Sequence, residues 1–572
     1  MRIRFINFTA IFVFVFLGLG LFNLGVIQGR RFKDLSNKNC IRLIPQMGTR
    51  GKIFDRNNNI IVDNSLSYDV MIMSGDEVRI NKELDNVSDI LGIDQKDLKD
   101  TYKTNFIAPF APIAIAKNIN IKKAITLEES KSDLELSGII IQPQPQRRYP
   151  YARLACHLLG YLNEIDHWRL TKLADYGYEK KDIVGFGGIE EKYDYYLRQE
   201  QGGLSLEVDH RGRPMRLLGF KPPKSGEDIQ LTLDLKLQRI VEDNMGSRKG
   251  SVIIMDPNSG EIMAMASSPN FNPSAFINKD ADYIAGLLRN SDAPLINRSI
   301  SSAYPAGSIF KLIVATAALD TGKINLSTSF YCPGSIHIGG QEFSCWDTHN
   351  QQNLKGAITH SCNVFFYRTG LLLGAQLIHD YALKFGLSKP AGIDLPYESG
   401  GFIPQPLWKR IYKFQNWYEG DTVNFAIGQG YLLVTPLQMV RMIAVFANNG
   451  SLVTPYIVKA IDGRDISIYQ KKTARIPIKE STIGYIREAL RNVVSDPNGT
   501  ANILSSLPIS IAGKTGTAQV SRGQPHGWFI GFFPFKNPKF AICVFIEHGG
   551  SGYFSCVLTK QIIEAMIKEG LI

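Results

Sequence analysis

The most constraining feature of the sequence is an uncharged apolar segment near its N-terminus, residues 5–29. It reads FINFTAIFVFVFLGLGLFNLGVIQG between Arg4 and Arg30. A helix rises about 1.5 Å per residue, so this segment can span a hydrocarbon core of roughly 30 Å. It is longer than the apolar region of a cleaved signal peptide, and no small-residue cleavage site follows it. We therefore predict a retained membrane anchor.

The length of 572 residues exceeds what one hydrophobic core organises, so at least two domains should follow the anchor. We predict a cytoplasmic tail (1–4), the anchor (5–29), a non-catalytic region (30–230) and a second domain (231–572), with KPPKSGED as the linker. The positive charges flanking the anchor nearly balance, but the short tail indicates that the rest of the chain is exported.

The formal net charge is +11, which raises the question of nucleic-acid binding. No zinc-finger, RNA-recognition or basic-helix pattern accompanies that charge. We therefore expect a lysine-rich solvated surface and no nucleic-acid partner.

Turn and strand patterns outline the exported part. Apolar pairs around Asn57-Asn58-Asn59 predict a β-hairpin within residues 50–64, and the turn PNSG predicts another within 251–267. The run GFGGIEEKYDYYLRQEQGG, residues 185–203, predicts one amphipathic helix between glycines. Strand patterns return in AGKTGTAQV and FAICVFIEHGG. Strands at both ends of a helical middle indicate an α/β second domain whose sheet joins its first and last segments.

A candidate nucleophile, Ser308, stands three residues before Lys311 at the start of an apolar helical pattern. This spacing places the two side chains on one helix face, where a neutral lysine amine can act as the base for a serine. The ordinary lysine pKa is near 10.4, so the site has to lower it by burial or by a second cation. Alone, the pair is equally typical of a solvated helix.

A second candidate motif is Ser361-Cys362-Asn363. A hydroxyl can relay a proton between the lysine and a leaving amine, and an amide can hold a peptide carbonyl. The same residues could instead be a simple helix cap.

The third candidate motif, Lys514-Thr515-Gly516-Thr517, lies in a strand pattern. A glycine within a strand often marks close approach by a ligand backbone. One cation with two hydroxyls suits a carboxylate, and Lys514 is also a candidate for the second cation that lowers the pKa of Lys311. The alternative is an ordinary bulged edge strand.

In this order the three motifs resemble the set Ser-x-x-Lys, Ser-Asp-Asn and Lys-Thr-Gly of β-lactamases and penicillin-binding proteins, with Cys362 where that set has Asp. Further segments extend the resemblance to nearly the whole chain: RGKIFDRNNN, RRYPYARLACHLLGYL, NRSISSAYPAGSIFK, NWYEGDT, AIGQGYLLVTPLQM and DPNGTA. The sequence resembles class B penicillin-binding proteins, and among them the elongation-type transpeptidases. This implies an antiparallel sheet flanked by helices, preceded by an elongated, mostly β pedestal used for dimerisation.

The resemblance also implies a mechanism. Ser308 would attack the penultimate D-Ala carbonyl of a peptidoglycan stem peptide, with Lys311 as base. Ser361 and Asn363 would relay the proton and position the peptide. β-Lactams would acylate the same serine, and the catalysis would need no cofactor.

Substrate binding follows from the same resemblance. Lys514, Thr515, Gly516 and Thr517 would hold the terminal carboxylate, and the backbone N–H groups of Ser308 and Thr517 would form the oxyanion hole. The implied location is the bacterial inner membrane with the catalytic domain in the periplasm. The implied partner is a SEDS-type membrane glycan polymerase within the elongation complex.

Four further side chains are candidate metal ligands: Cys332, Cys345, His349 and Cys362. Three thiolates and an imidazole suit a tetrahedral structural Zn²⁺. The alternatives are a Cys332–Cys345 disulfide, which an oxidising compartment permits, or free buried thiols. Any metal here would be structural and would connect the loop 332–349 to the second motif.

Other functions fit less well. A class A β-lactamase needs a deacylating glutamate, and no Glu-x-x-Leu-Asn follows Asn363. A division-type transpeptidase is nearer, although NWYEGDT favours elongation. A β-lactam-sensing receptor would carry several membrane spans, and an inactive scaffold would not need Ser308, Lys311 and Lys514 together.

Overall fold

The structure is a computed structural model that describes residues 2–33, 41–73, 76–106, 112–208 and 214–572. An apolar helix begins the chain and continues as a short π-helical turn. The stretch Phe5–Ile27 has a mean hydropathy of 2.5 and no buried residue, and it is long enough to cross a membrane. It agrees with the predicted anchor.

Short strands and helices alternate in the N-terminal part of the chain. In order they are α1 (Arg2–Phe22), the π-helical turn (Asn23–Ile27), β1 (Ile41–Gln46), β2 (Ile53–Phe54), β3 (Ile60–Met73), α2 (Glu77–Leu91), α3 (Gln95–Asn105), β4 (Pro112–Ile119), α4 (Ile121–Glu129), β5 (Ile139–Arg148), α5 (Cys156–Leu159), β6 (Tyr161–Glu164), α6 (His167–Leu173), a 3-10 turn (Ala174–Tyr176), β7 (Ile183–Phe186), α7 (Gly188–Lys192), α8 (Asp194–Leu197), β8 (Gly202–Val208) and β9 (Pro214–Lys221).

The helices and strands of the C-terminal part include the most buried strands. They are β10 (Ile229–Leu231), α9 (Leu235–Met245), β11 (Gly250–Met255), β12 (Ile262–Ser268), α10 (Ser274–Ile277), α11 (Ala281–Arg289), a 3-10 turn (Gly307–Phe310), α12 (Lys311–Asp320), β13 (Ser329–Cys332), β14 (Ser335–Ile338), β15 (Gln341–Ser344), β16 (Asn350–Asn353), α13 (Leu354–Thr359), α14 (Asn363–Leu373), α15 (Ala375–Lys384), α16 (Pro406–Tyr412), α17 (Glu419–Ala426), α18 (Pro436–Ala447), β17 (Ser451–Val453), β18 (Val458–Ile461), β19 (Arg464–Asp465), α19 (Ser467–Gln470), β20 (Thr473–Arg475), α20 (Glu480–Ser495), a 3-10 turn (Asn502–Ser506), β21 (Ala512–Ala518), β22 (His526–Phe533), β23 (Phe540–Ile546) and α21 (Gly552–Lys568).

The chain falls into two compact units that alternate along the sequence. Unit 1 comprises Met1–Gly51, Asn64–Arg147 and Arg198–Gly226; unit 2 comprises Lys52–Asp63, Arg148–Leu197 and Glu227–Ile572. Two segments of the predicted non-catalytic region therefore pack with the larger unit. The boundary between residues 230 and 231 stays a prediction.

Unit 1 contains helices α1 to α4, strands β1, β4, β8 and β9, and most of β3 and β5. Strands β1, β8 and β9 form an antiparallel sheet, while β3 pairs with both β4 and β5. Helices α2, α3 and α4 contribute apolar side chains to a compact core with these strands, including those of Val70, Val87, Leu98, Ile113 and Leu127. This architecture matches the expected pedestal.

Unit 2 is organised around a five-stranded antiparallel sheet in the order β12-β11-β23-β22-β21. Strand β11 pairs with β23 from Gly250↔Ile546 to Met255↔Ala541, which confirms that the sheet joins the first and last segments of the domain. Helix α18 packs on β11, β22 and β23, and α9 and α21 pack together against the sheet. Strand β21 lies at the sheet edge.

Both predicted hairpins are present. Ile53 pairs with Val62, and the N–H groups of Asn57 and Asn59 bond a carboxylate oxygen of Asp55 in the turn. The second hairpin is β11–β12.

The single helix expected within residues 185–203 is wrong, because the structure has two short helices, α7 and α8, interrupted at Tyr193. The side chain of Asp194 accepts bonds from the Gly185 N–H and the Tyr178 hydroxyl at the start of α8. These contacts with preceding residues accompany the break.

Candidate active site

Ser308 lies in the 3-10 turn that leads into α12 and is partly exposed. Residues three apart eclipse one another in a 3-10 turn, so Ser308 and Lys311 share one side, as their spacing predicts. Gly307 has a φ of +58°, and a Cβ there would lie 2.5 Å from the carbonyl oxygen of Thr517. Glycine therefore lets the nucleophile turn lie directly against β21.

The amine of Lys311 is fully buried and meets three oxygens. Nζ donates to the Ser361 carbonyl at 2.8 Å and to Asn363 Oδ1 at 2.6 Å, and it lies 3.4 Å from Ser361 Oγ. Burial lowers the pKa of Lys311 to about 8, against the opposing effect of the Cys345 and Cys362 thiols. The amine can therefore be neutral near physiological pH, as a general base requires.

The second motif lies between α13 and α14. Cys362 is the N-cap of α14, where its sulfur accepts a bond from the Phe365 N–H at 3.5 Å. Ser361 has a φ of +56°, uncommon for a residue with a side chain and frequent at functional sites. The amide nitrogen of Asn363 donates to the Ser344 carbonyl, which orients its oxygen towards Lys311. The motif therefore caps α14 through Cys362 and contacts Lys311 through Ser361 and Asn363.

Lys514 lies on β21 and is also fully buried, with Nζ 3.1 Å from the Thr515 carbonyl. Burial lowers its pKa, and the positive charge of Lys311 lowers it further. For Lys311, burial is the main cause of the lowered pKa, so of the two causes expected from the sequence, burial or a second cation, the first is confirmed. That Lys514 acts as the second cation stays a prediction.

The hydroxyls of β21 are held by neighbouring segments. Thr515 Oγ1 donates to Thr500 Oγ1 at 2.7 Å, and Thr517 Oγ1 accepts a bond from the Gly552 N–H at 3.1 Å. Gly516 packs close to the nucleophile turn, since a Cβ there would lie 3.0 Å from Ile309 Cγ2. Thr500 was not assigned from the sequence, although its segment DPNGTA is part of the family resemblance.

These residues surround a cleft of about 860 Å³ in unit 2. Ser308, Ser361, Asn363, Thr515 and Thr517 line it, while Lys311 and Lys514 lie behind its surface. Further lining side chains that the sequence reading missed are Trp346, Tyr367, Asn424, Gln429, Thr500 and Tyr553. Three motifs that are far apart in the sequence therefore meet at one cleft beside a sheet edge.

A buried ion pair supports one side of this cleft. Lys409 Nζ lies 2.6 Å from Asp421 Oδ2, and the same carboxylate caps α17 by accepting the Tyr418 N–H. Helix α17 leads to Gly428, whose carbonyl accepts the Gly307 N–H at 2.9 Å. A Cβ on Gly428 would lie 2.1 Å from the Gly307 oxygen. The segment NWYEGDT thus belongs to the support of the nucleophile turn.

The predicted metal ligands cluster in unit 2. The ligand atoms of Cys332, Cys345, His349 and Cys362 all lie within 4.8 Å of one another. His349 Nδ1 is 3.7 Å from Cys332 Sγ and 3.5 Å from Cys345 Sγ. A tetrahedral Zn²⁺ with Zn–S bonds of about 2.3 Å spaces its ligands by about 3.5–3.8 Å, so the donor set fits this ion.

The protonation of the cluster also suits a metal. A hydrogen bond from Cys362 lowers the pKa of Cys345, and the same contact raises the pKa of Cys362. This contact favours the thiolate form of Cys345, which is the form that binds a metal. His349 Nε2 is buried without a hydrogen-bond partner within the described ranges.

Cys332 and Cys345 are free thiols in the structure rather than the alternative disulfide. Cys156, Cys543 and Cys556 are buried apart from the cluster, and burial raises the pKa of each thiol. Cys40 lies outside the described residues.

Comparison with protein families gives two matches. Residues 250–568 match the penicillin binding protein transpeptidase domain, and residues 45–231 match the penicillin-binding protein dimerisation domain. Together they cover most of the chain after the apolar helix.

Individual proteins are similar over nearly the whole chain. The peptidoglycan D,D-transpeptidase MrdA of Acinetobacter baumannii is 31% identical, over 93% of this chain and 82% of that protein. Penicillin-binding protein PBP2 of Helicobacter pylori, solved in complex with MreC, has a TM-score of 0.83 at 28% identity, over 93% of this chain and all of the other. A chain of a peptidoglycan synthase complex that coordinates polymerization and crosslinking has a TM-score of 0.74 at 28% identity, covering 99% and 98%. The protein thus belongs to the class B penicillin-binding proteins and is a peptidoglycan D,D-transpeptidase.

Proposed function

We propose that this transpeptidase crosslinks stem peptides during cell elongation, through an acyl-enzyme on Ser308. The observation that carries the site assignment is the buried amine of Lys311, with a pKa of about 8, one turn from Ser308 and bonded to Ser361 and Asn363. A base with this pKa, beside a partly exposed hydroxyl, is the arrangement that acyl transfer by serine requires.

In the acylation step the neutral amine of Lys311 accepts the hydroxyl proton of Ser308. Ser308 Oγ attacks the carbonyl carbon of the penultimate D-Ala, and the bond to the terminal D-Ala nitrogen breaks. The Ser361 hydroxyl, 3.4 Å from Lys311 Nζ, passes its proton to that leaving amine and takes the proton that Lys311 accepted. An amine from a neighbouring stem then attacks the ester and forms the crosslinking amide, and its proton returns to Ser308 Oγ as the ester bond breaks. No step needs a cofactor.

Substrate orientation follows from the sheet edge. An edge strand presents unpaired backbone groups, so an extended peptide can add beside β21. Its terminal carboxylate then meets the hydroxyls of Thr515, Thr517 and Thr500, with the charge of Lys514 behind them. Backbone N–H groups of Ser308 and Thr517 stabilise the tetrahedral oxyanion, a contribution of about 3 to 4 kcal/mol per donor in other enzymes.

Intact-mass spectrometry after penicillin treatment tests the nucleophile. The wild type should gain the mass of one penicillin, and Ser308→Ala should gain none. An unlabelled wild type, or a labelled Ser308→Ala variant, would overturn the assignment. Ser302→Ala is a matched control that should label like the wild type.

We also propose that Cys332, Cys345, His349 and Cys362 hold a structural Zn²⁺. The supporting observations are the ligand spacing and the hydrogen bond from Cys362 that lowers the pKa of the Cys345 thiol. Bound zinc would connect the hairpins of residues 329–353 to Cys362, which lies between Ser361 and Asn363. Its role would be to hold these two side chains, not to take part in the reaction.

Elemental analysis of the purified protein, with and without Cys362→Ser, tests the metal. One zinc per chain in the wild type and loss in the variant are expected. A metal-free wild type would leave the four residues as a cluster of buried thiols and a histidine.

The elongation role and the partners are supported by the similar proteins. They include PBP2 solved in complex with MreC and a peptidoglycan synthase complex that coordinates polymerization and crosslinking. By analogy, we propose that this chain is anchored in the inner membrane, acts in the periplasm, and works with a SEDS-type glycan polymerase in the elongation complex.

Depletion in the native bacterium separates elongation from division. Loss of an elongation enzyme should produce rounded cells, rescued by the wild-type gene but not by the Ser308→Ala gene. Filamentous cells would indicate a division enzyme and overturn the elongation role, while leaving the transpeptidase assignment intact.

A further inference from the structure

Unit 2 contains a second cavity, of about 610 Å³, that shares none of its lining residues with the active cleft. Its walls come from α6, the 3-10 turn after it, β7, α7, α8 and the loop residue Tyr397. We call it the Trp168 pocket; its main lining residues are Trp168, Arg169, Lys172, Tyr176, Glu191 and Tyr195. The size is typical of a small-ligand site.

Aromatic rings at the pocket are unusually exposed. The exposed fractions are 58% for Trp168, 67% for Tyr176 and 70% for Tyr195. Tyr397 adds a fourth exposed ring from a backbone with a φ of +63°, a conformation that is rare for a bulky residue. Such strain often marks a position held for function. Large rings left in water around a concavity indicate a binding surface.

The polar groups at one side of the pocket form a connected network. The guanidinium of Arg169 lies 3.4 Å from Glu191 and 3.8 Å from the centre of the Phe186 ring. The Tyr397 hydroxyl donates to Glu191 at 2.5 Å. Arg169 also pairs with Asp166 at 2.6 Å, so one guanidinium joins two carboxylates and this side of the pocket is organised before any ligand arrives.

Two lysines give the pocket a positive rim. Neither Lys172 nor Lys192 makes an ion pair with any residue in the described ranges, and both are exposed. The ammonium of Lys172 lies over one face of the Trp168 ring, 3.6 Å from its centre, and the ring still lines the pocket with 58% of its surface exposed. The pocket is therefore suited to a ligand that is apolar on one face and acidic at its edge.

We propose that the Trp168 pocket binds the amino-sugar backbone of peptidoglycan, with acidic groups of the attached peptide at Lys172 and Lys192. The C–H groups on one face of a sugar ring are weakly positive and pack on the negative face of an aromatic ring. Protein partners generally need about 800 Å² on each side, whereas this site is a concavity of ligand size. The inference rests on the proposed function, because the enzyme's peptide substrate carries this glycan.

Binding of chitotetraose, a neutral chain of N-acetylated amino sugars, tests the ring contacts. Saturable binding to the full-length protein in detergent, seen by calorimetry and by a change in tryptophan fluorescence, is expected. Trp168→Ala should weaken chitotetraose binding about tenfold or more, as expected for loss of an aromatic ring that the bound ligand would cover. Phe414→Ala removes an aromatic ring that is 90% exposed elsewhere and should leave binding unchanged.

A disaccharide–tripeptide fragment of peptidoglycan tests the rim. It should bind more tightly than chitotetraose, and Lys192→Gln should reduce that advantage and its salt dependence while leaving chitotetraose binding unchanged. If the free tripeptide binds as well as the fragment, the sugar assignment is wrong.

Penicillin labelling of the same samples separates this inference from the proposed function. Normal labelling of Ser308 with no sugar binding would overturn the pocket assignment alone. Absent labelling with intact sugar binding would overturn the catalytic assignment alone. If Trp168→Ala spares sugar binding and weakens binding of another protein, the pocket is a protein interface and the proposal is wrong.

Discussion

The two sides of the active cleft are held in place by different means. On the nucleophile wall, residues 307–311 and 512–518, backbone packs against backbone: Gly307 lies against Thr517 and Gly428 against Gly307. The cysteine wall, residues 329–353 and 361–363, contains the short hairpins β13–β16 and β14–β15 with largely exposed strands, joined to Cys362 by a cluster of three thiols and an imidazole. The core of the domain positions the first wall, and a small side-chain cluster positions the second.

This difference has a consequence for how each wall responds to change. A Cβ added at a glycine of the nucleophile wall would collide with backbone atoms, which cannot move aside. Both the free energy of unfolding and the acylation rate should therefore fall. A change in the cysteine wall should act through the cluster and leave the core intact. Lys311 is where the walls meet, because it begins α12 on one side and bonds Ser361 and Asn363 on the other.

The largest effect is expected for Gly428→Ala. The new Cβ would lie 2.1 Å from the Gly307 oxygen at a φ of +77°, so the turn carrying Ser308 has to shift. We expect acylation by penicillin to slow about 100-fold and the free energy of unfolding to fall by about 3 kcal/mol. Stopped-flow acylation and denaturant unfolding measure both.

Gly339→Ala is the matched control in the cysteine wall. Gly339 also has a positive φ, +57°, but a Cβ there meets nothing within 4 Å. Its cost should be about 1 kcal/mol with little change in acylation. Equal losses of stability and of acylation rate in Gly428→Ala and Gly339→Ala would contradict the proposed difference between the walls.

The next effect is expected for Cys362→Ser. Serine is also a good N-cap, so α14 is retained while one metal ligand is weakened. Acylation should slow about tenfold, bound zinc should be lost, and a chelator should no longer lower the melting temperature. Cys543→Ser, at a buried thiol outside the cluster, should keep zinc and chelator sensitivity. Unchanged acylation and metal content in Cys362→Ser would argue against the cluster as a support.

A smaller effect is expected from pH. Lys311 acts as base only when neutral, and with a pKa of about 8 its neutral fraction falls from about half at pH 8 to about a tenth at pH 7. Acylation should therefore rise with pH and be about fivefold slower at pH 7 than at pH 8. Melting temperatures at both pH values control for unfolding. A flat profile between pH 6.5 and 8.5 would contradict Lys311 as the base.

The smallest effect is expected for Thr500→Val, which removes the hydroxyl that accepts the bond from Thr515. The apparent affinity for a carboxylate-bearing β-lactam should weaken about threefold, with little change in the maximal acylation rate. Thr321→Val, whose hydroxyl bonds the Ala317 carbonyl at the far end of α12, is the control. A reduced maximal rate without an affinity change would show that Thr500 positions the nucleophile instead.

The motif residues could be predicted from the sequence because each motif places its chemistry within a few consecutive residues. Ser308 and Lys311 share a side in any helical turn, and Lys514 to Thr517 alternate along any strand. That the sheet joins the first and last segments of the domain also followed from the strand patterns at its two ends. The sequence did not predict which distant backbone segments contact these motifs.

Three features of the structure depend on tertiary contacts that local sequence patterns do not show. Thr500 joins the site because its segment lies against β21, and no local pattern indicates that contact. The pKa of Lys311 is set mainly by how deeply the amine is buried, which spacing alone does not reveal. The break at Tyr193 accompanies the contacts of Asp194 with Gly185 and Tyr178, which a helical period cannot show.

The contact between Gly428 and Gly307 has a consequence for drug resistance. Any added side chain at either glycine displaces the serine that both the natural peptide and the antibiotic must acylate, so such variants lose crosslinking together with drug sensitivity. Selection under β-lactams should therefore bypass the nucleophile wall. Resistant alleles are expected to carry changes in the more adaptable cysteine wall and at cleft residues such as Tyr553. A change there can weaken binding of the drug more than binding of the substrate without moving the nucleophile.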